Sequence, residues 1–215
     1  MAVRTRNIAR ILAVAVAVPL AWALSARVDT RHAAAGPCPD VEVVSARGTG
    51  EPPGVGSIGQ AFIDSFRSKV PGRSVGIYGV NYPATEDFAR SESAGAADGR
   101  AHVQSTVANC PNTKIVLDGY SQGAAVIDRI TEELPPEVAS HVAAVAVFGN
   151  PKSTFARTLG GGQLPAISPL YLPKTIDLCV PDDPICSEGK NEAAHHLYGQ
   201  NGMTNQAAAF AARRL

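Results

Sequence analysis

The chain lacks the features that would mark a nucleic-acid, zinc or membrane-spanning protein. Its 215 residues carry 19 Lys plus Arg against 19 Asp plus Glu, so no net positive field holds a polyanion against salt, which excludes a nucleic-acid binder. No C-x-x-C spacing occurs among the four cysteines, so the zinc-ribbon pattern is absent. The apolar run from Ile11 to Leu24 is about 14 residues long and Pro19 interrupts it, against the roughly 20 that a spanning helix needs. The only tryptophan, Trp22, lies in that run. With no internal repeat and no low-complexity tail, a chain 45% apolar and 18% charged reads as one soluble domain.

What the N-terminus does contain is a leader. Arg4, Arg6 and Arg10 precede the apolar run, and Ala33-Ala34-Ala35 offers small residues at a cleavage site, the pattern of a secretory signal peptide over residues 1–35. A cut after Ser25 and an uncleaved anchor are the competing readings. Loss of residues 1–35 would leave a domain over 36–215 with 14 basic and 18 acidic residues, net −4. That length, about 180 residues, is enough for one full core. Export also places Cys38, Cys110, Cys179 and Cys186 in an oxidising compartment, where disulfides are expected rather than metal ligation. Three pairings are open. Cys179 and Cys186 can close a short loop, leaving Cys38 with Cys110; the chain-entropy model gives about 2.5 and about 4 kcal/mol for the two.

Val41–Ala46, Val75–Val80, Ile115–Leu117 and Val142–Phe148 are short apolar runs suited to buried strands, with Thr175–Val180 a weaker fifth. Helical stretches alternate with them at Ile58–Lys69, Ser91–Asn109 and Gln122–Leu134, and a last helix is expected from an N-cap at Thr204 to Arg213. Glu51–Gly56 and Gly160–Pro169 read as Gly- and Pro-rich loops. Such alternation predicts an α/β fold, a three-layer α/β/α sandwich on a mainly parallel sheet.

The third strand runs into Gly119-Tyr120-Ser121-Gln122-Gly123 with a helix behind it. That is G-x-S-x-G in a strand-turn-helix context, in which a strained turn exposes the serine and the glycines let neighbouring backbone come close. The Gln122 amide at the helix start would face a developing oxyanion. The competing reading is a Gly-rich turn whose serine only caps the helix. On this fold the acid and then the histidine follow the serine in the chain, which removes His32 and His102. His141 sits just before a strand, with no fixed spacing to an acid, and reads as a surface or strand-start residue. His195 and His196 remain, after a cysteine loop containing Asp182 and Asp183.

Several stretches taken in order resemble the cutinase family, especially the cutinase-like serine esterases of actinobacteria. They are Cys38-Pro39-Asp40, Ala46-Arg47-Gly48-Thr49-Gly50-Glu51, Tyr82-Pro83-Ala84, Gly119-Tyr120-Ser121-Gln122-Gly123-Ala124, Cys-x3-Asp-x2-Cys at Cys179, Asp183 and Cys186, and His-x2-Tyr-Gly at His195, Tyr198 and Gly199. The likeness covers nearly all of the chain after the leader. It implies a minimal α/β-hydrolase fold, disulfides Cys38–Cys110 and Cys179–Cys186, a triad of Ser121, Asp183 and His195, and an oxyanion hole of Thr49 with Gln122. The family's His-x2-Tyr-Gly spacing starts from His195 and so selects it over His196. Thr49 could otherwise be a loop hydroxyl in a local turn bond, and Asp118, directly before the motif, receives no role.

The implied activity is two-step acyl transfer to water on short to medium chain esters. No metal or cofactor is required, the partner is an ester or lipid substrate, and a monomer is expected. The resemblance also implies a shallow cleft flanked by Tyr82–Phe88 and Ser187–Ala194. The competing classes are an exported binding or antigenic protein with a decayed site, and an acyltransferase using the same residues.

Overall fold

The computed structural model describes residues 37–215; the leader expected over residues 1–35, with Trp22 and His32, lies outside the described residues. Five strands form one parallel sheet in the order β2-β1-β3-β4-β5: β1 (Val41–Ala46), β2 (Val75–Gly79), β3 (Lys114–Tyr120), β4 (Val142–Phe148) and β5 (Thr175–Leu178). The central strands are mainly apolar, β4 throughout, because helices cover both their faces, whereas the edge strand β5 reads Thr-Ile-Asp-Leu. The helices are α1 (Gly56–Lys69), α2 (Phe88–Asn109), α3 (Gln122–Glu133), α4 (Thr154–Leu159) and α5 (Met203–Ala212). Alternate strand residues Val44, Leu117 and Val145 pack with Ala96, Val103, Ile127 and Ile130 from α2 and α3. Their neighbours Val43, Val116 and Phe148 face Phe62, Phe66, Ala207 and Ala211 from α1 and α5. The expected α/β/α sandwich is therefore the architecture found.

Several element ends shift by one to three residues from the sequence reading, and three departures have a clear local reason. Strand β3 continues to Tyr120, so the ladder holds the chain up to the residue before Ser121. Helix α5 starts after Gly202 (φ +83), not at a Thr204 cap, because the Asn201 side chain accepts the Met203 amide at 3.0 Å and Thr204 is buried in the first turn. Helix α4 falls where no helix was expected. The Ser153 side chain caps it by accepting the Ala156 amide at 2.9 Å. Both disulfides are present, Cys38–Cys110 and Cys179–Cys186, with Cα separations of 5.5 and 5.8 Å. Among the described residues no helix is long and apolar enough to cross a membrane.

Asp118 points into the sheet face under α1, where the Cβ-free Gly59 leaves room for it. It is 1% exposed, and its Oδ2 lies 2.6 Å from Ser45 Oγ, which is also 3.3 Å from the Val55 carbonyl. One hydroxyl proton cannot serve both acceptors. A protonated Asp118 donating to Ser45 frees that proton for Val55. Burial pushes the Asp118 carboxyl up to about 7, against the opposing bond from Ser45. Its folded value lies above the unfolded 3.8, so stability is full below about pH 4 and is lost as pH rises through 7, by on the order of 4 kcal/mol. Asp118→Asn should keep the donor and remove the titration, raising the melting temperature more at pH 8 than at pH 5, where less than half of the loss has occurred. Equal shifts at the two pH values would show that Asp118 is ionised in the native protein.

Candidate active site

Ser121 sits between β3 and α3 with φ 56° and ψ −122°, a left-handed backbone that a non-glycine residue adopts only when the surroundings enforce it. Three contacts enforce it here. The Ser121 amide donates to the Phe148 carbonyl of β4 at 2.9 Å. A Cβ on Gly119 would stand 2.5 Å from the Gly123 carbonyl oxygen, and one on Gly123 would stand 1.9 Å from that of Ala46. Only glycine at both positions lets the turn close and α3 settle onto the end of β1. The serine side chain makes no capping bond to α3; its Oγ lies 2.9 Å from His195 Nε2 instead.

His195 lies in a 3-10 turn, Glu192–His196, and its ring is positioned on several sides. Nδ1 is 2.8 Å from Asp183 Oδ2. The Tyr120 ring stacks on the imidazole at 5.0 Å while its hydroxyl donates to the His195 carbonyl at 2.7 Å. Gly149, at φ +56, closes the remaining side, where an added Cβ would come within 2.8 Å of His195 Cε1. His196 projects elsewhere: it is exposed, with its ring 5.8 Å from that of His195. His102 stacks on Tyr78 beside Glu42, and His141 directly precedes β4; neither joins the cluster.

Asp183 is fully buried inside the Cys179–Cys186 loop. Burial alone would raise its carboxyl. Bonds from His195, from the Tyr198 hydroxyl and from the Ile185 amide outweigh that and hold it below the ordinary carboxylate range. Asp182, its neighbour, is exposed at φ 68, with its carbonyl accepting the Asn191 amide at 3.0 Å, and is a turn residue.

The loop carrying Thr49 is braced from beneath. Arg47 is 3% exposed and donates to the carbonyls of Glu51 at 2.8 Å, Tyr82 at 2.6 Å and Val80 at 3.4 Å, with its guanidinium over the Tyr82 ring. Glu51 accepts the Gly48 amide at 2.7 Å and both the amide and the hydroxyl of Ser57. Gln122 turns its side chain away from Ser121, donating to the Thr85 carbonyl at 2.8 Å and accepting from Ser91. Its backbone N–H is the first of α3 and has no partner within the helix.

A cleft of about 610 Å³ opens on Ser121, Thr49, Gln122 and His195. Its apolar wall comes from Phe88, Leu159, Leu164 and Ile185, with Glu86 at the rim. The Tyr82–Phe88 side was expected. The Ser187–Ala194 side is corrected: none of those residues lines this cleft, and α4 with the chain leading to Leu164 supplies the wall instead. Thr49, Tyr120 and His196 also border a second depression of about 350 Å³ beside the serine. Among the described residues no group of His, Cys, Asp and Glu is placed to hold a metal ion. Sequence reasoning gave no task to Tyr120, Gly149 or Arg47, and used Tyr198 only as a spacing mark.

The comparisons with known proteins agree with this architecture. The family model described as Cutinase matches residues 37–215. Carboxylesterase Culp1 of Mycobacterium tuberculosis is 58% identical over 211 residues, covering 98% of this chain and 97% of its own. Phospholipase Culp4 of the same organism is 49% identical over 188 residues, covering 83% and 80%. Among solved structures, Trichoderma reesei cutinase in complex with a phosphonate inhibitor superposes with a TM-score of 0.68 at 33% identity, over 82% of this chain and 77% of that one. The catalytic core domain of acetyl xylan esterase from the same fungus gives 0.69 at 25% identity, over 83% and 100%. A G-x-S-x-G turn on a five-stranded parallel sheet, with these relatives over its whole described length, makes the chain a member of the cutinase family and a carboxylic ester hydrolase.

Proposed function

We propose that the chain is a secreted serine esterase that hydrolyses short to medium chain esters through an acyl-enzyme on Ser121. The observation that carries this is the unbroken line of contacts from Ser121 Oγ to His195 Nε2, 2.9 Å, and from His195 Nδ1 to Asp183 Oδ2, 2.8 Å. His195 takes the serine proton as Oγ attacks the ester carbonyl, then delivers it to the leaving alcohol. The oxyanion meets the Gln122 N–H at the positive end of α3 and the donors of Thr49. Asp183, ionised and buried, holds the imidazole in the required tautomer and stabilises its cationic form. Water then attacks the acyl-enzyme by the same route, which returns the proton to Ser121. The cleft and its apolar wall of Phe88, Leu159, Leu164 and Ile185 support an acyl chain of modest length. The two disulfides support an oxidising destination, in keeping with the leader.

A fluorophosphonate ester should label Ser121 with one phosphonyl group per chain and abolish hydrolysis in step with labelling. On unlabelled enzyme, butanoyl to octanoyl nitrophenyl esters should outrun both acetyl and hexadecanoyl esters. Hydrolysis that survives complete labelling would remove Ser121 from the reaction, and a maximum at hexadecanoyl would overturn the chain-length assignment.

A further inference from the structure

We propose that Tyr198 is a positioning residue for hydrolysis: its hydroxyl fixes the rotation of the Asp183 carboxylate and moderates the charge that this carboxylate presents to His195. The proposal rests on the reading of Ser121, His195 and Asp183 as the triad. Asp183 Oδ2 receives two donors, His195 Nδ1 at 2.8 Å and Tyr198 Oη at 2.5 Å, while Oδ1 receives the Ile185 amide at 2.8 Å. A carboxylate anchored through both oxygens cannot turn about its Cβ–Cγ bond without losing a buried bond.

The direction of the tyrosine proton follows from counting donors. The Val180 amide donates to Tyr198 Oη at 3.1 Å, and Cys186 Sγ, 3.3 Å away, is part of a disulfide and carries no hydrogen. An ionised carboxylate only accepts, so the single Tyr198 proton points at Asp183. Burial and the Asp183 bond raise the Tyr198 hydroxyl above the ordinary tyrosine value, which keeps it a donor throughout the working range. The ring itself is fixed edge-on against His195 at 6.2 Å and against Phe148 at 6.1 Å. A phenylalanine would fill the same space; the hydroxyl is the part that packing does not require.

Charge drawn from Oδ2 towards Tyr198 is charge not offered to Nδ1 of His195, so the strength of the tyrosine bond sets how strongly the carboxylate engages the ring. Tyr198 is absent from the cleft lining, so its loss should act on kcat and leave KM nearly unchanged. The test compares wild type, Tyr198→Phe and site-specific 2,3-difluorotyrosine in place of Tyr198, whose more acidic hydroxyl is the stronger donor. The acid limb of the kcat/KM profile should lie at the highest pH for phenylalanine, lower for tyrosine and lowest for the fluorinated residue, over about one pH unit. The phenylalanine variant should lose kcat roughly tenfold with KM within about twofold. An acid limb at the same pH in all three would overturn the proposal and reduce Tyr198 to packing. The fluorinated chain keeps the Val180 bond, so its comparison with wild type decides the matter even where the phenylalanine variant does not fold. Failure of the triad reading would show separately, as hydrolysis retained by Ser121→Ala.

Discussion

Ser121→Ala is expected to hydrolyse esters on the order of 10⁴-fold more slowly than wild type, or worse, while unfolding at the same urea concentration. Both halves follow from where the side chain lies. Its Oγ meets His195 Nε2, caps no helix and belongs to neither hydrophobic cluster. Removing one oxygen from the cleft wall therefore takes away the atom proposed to attack the ester and leaves the packing alone. Alanine also tolerates the left-handed backbone no worse than serine, since both carry a Cβ. Steady-state hydrolysis of a nitrophenyl ester with a urea titration on the same preparation checks both. Turnover within tenfold of wild type would mean that the elbow serine does not carry the reaction.

Gly123→Ala should do the reverse, acting on the fold first and on activity through it. The added methyl would stand 1.9 Å from the Ala46 carbonyl oxygen and 2.5 Å from that of Arg47. These are backbone atoms of a central strand and of the braced loop behind it, so neither gives way as a flexible side chain would. The N-terminus of α3 must lift from β1, which parts the Gln122 amide from Thr49. A loss of at least about 3 kcal/mol in unfolding free energy is expected, and displacing the donors proposed for the oxyanion should lower kcat/KM by more than about 100-fold. A urea midpoint equal to wild type would show that the two segments can separate without cost.

The sheet was legible because β-branched runs flanked by turns leave little else for a buried segment to be, and all five strands fall within the expected ranges or extend them. Helix α4 was not legible. Its six residues are too few to show a period, and Phe155 and Leu159, four apart, are both substantially exposed, so no apolar stripe marks a buried face. This hid the wall of the cleft, which was placed on Ser187–Ala194. Ser121, His195 and Asp183 were nominated by motif, by chain order and by resemblance. Spacing alone could not separate Asp182 from Asp183; the disulfide loop separates them by burying one and exposing the other. Arg47, Tyr120 and Gly149 carry no local signature, since their tasks arise only where β1, β3 and β4 end together. Gly149 resembles any glycine after a strand until the His195 ring is found against it.

The carbonyl cradle of Arg47 determines what alkali can reach. A guanidinium keeps its charge at any pH an enzyme survives, and the Glu51, Val80 and Tyr82 carbonyls that receive its bonds do not titrate. The scaffold under Thr49 is therefore indifferent to hydroxide, whereas the Ser45–Asp118 contact, on the same strand that leads into that scaffold, is not. As pH rises through about 7, loss of stability should accordingly begin between the sheet and α1 and proceed as cooperative unfolding. Molecules still native at that pH would retain full turnover per active site, so residual activity would count surviving molecules rather than weakened ones.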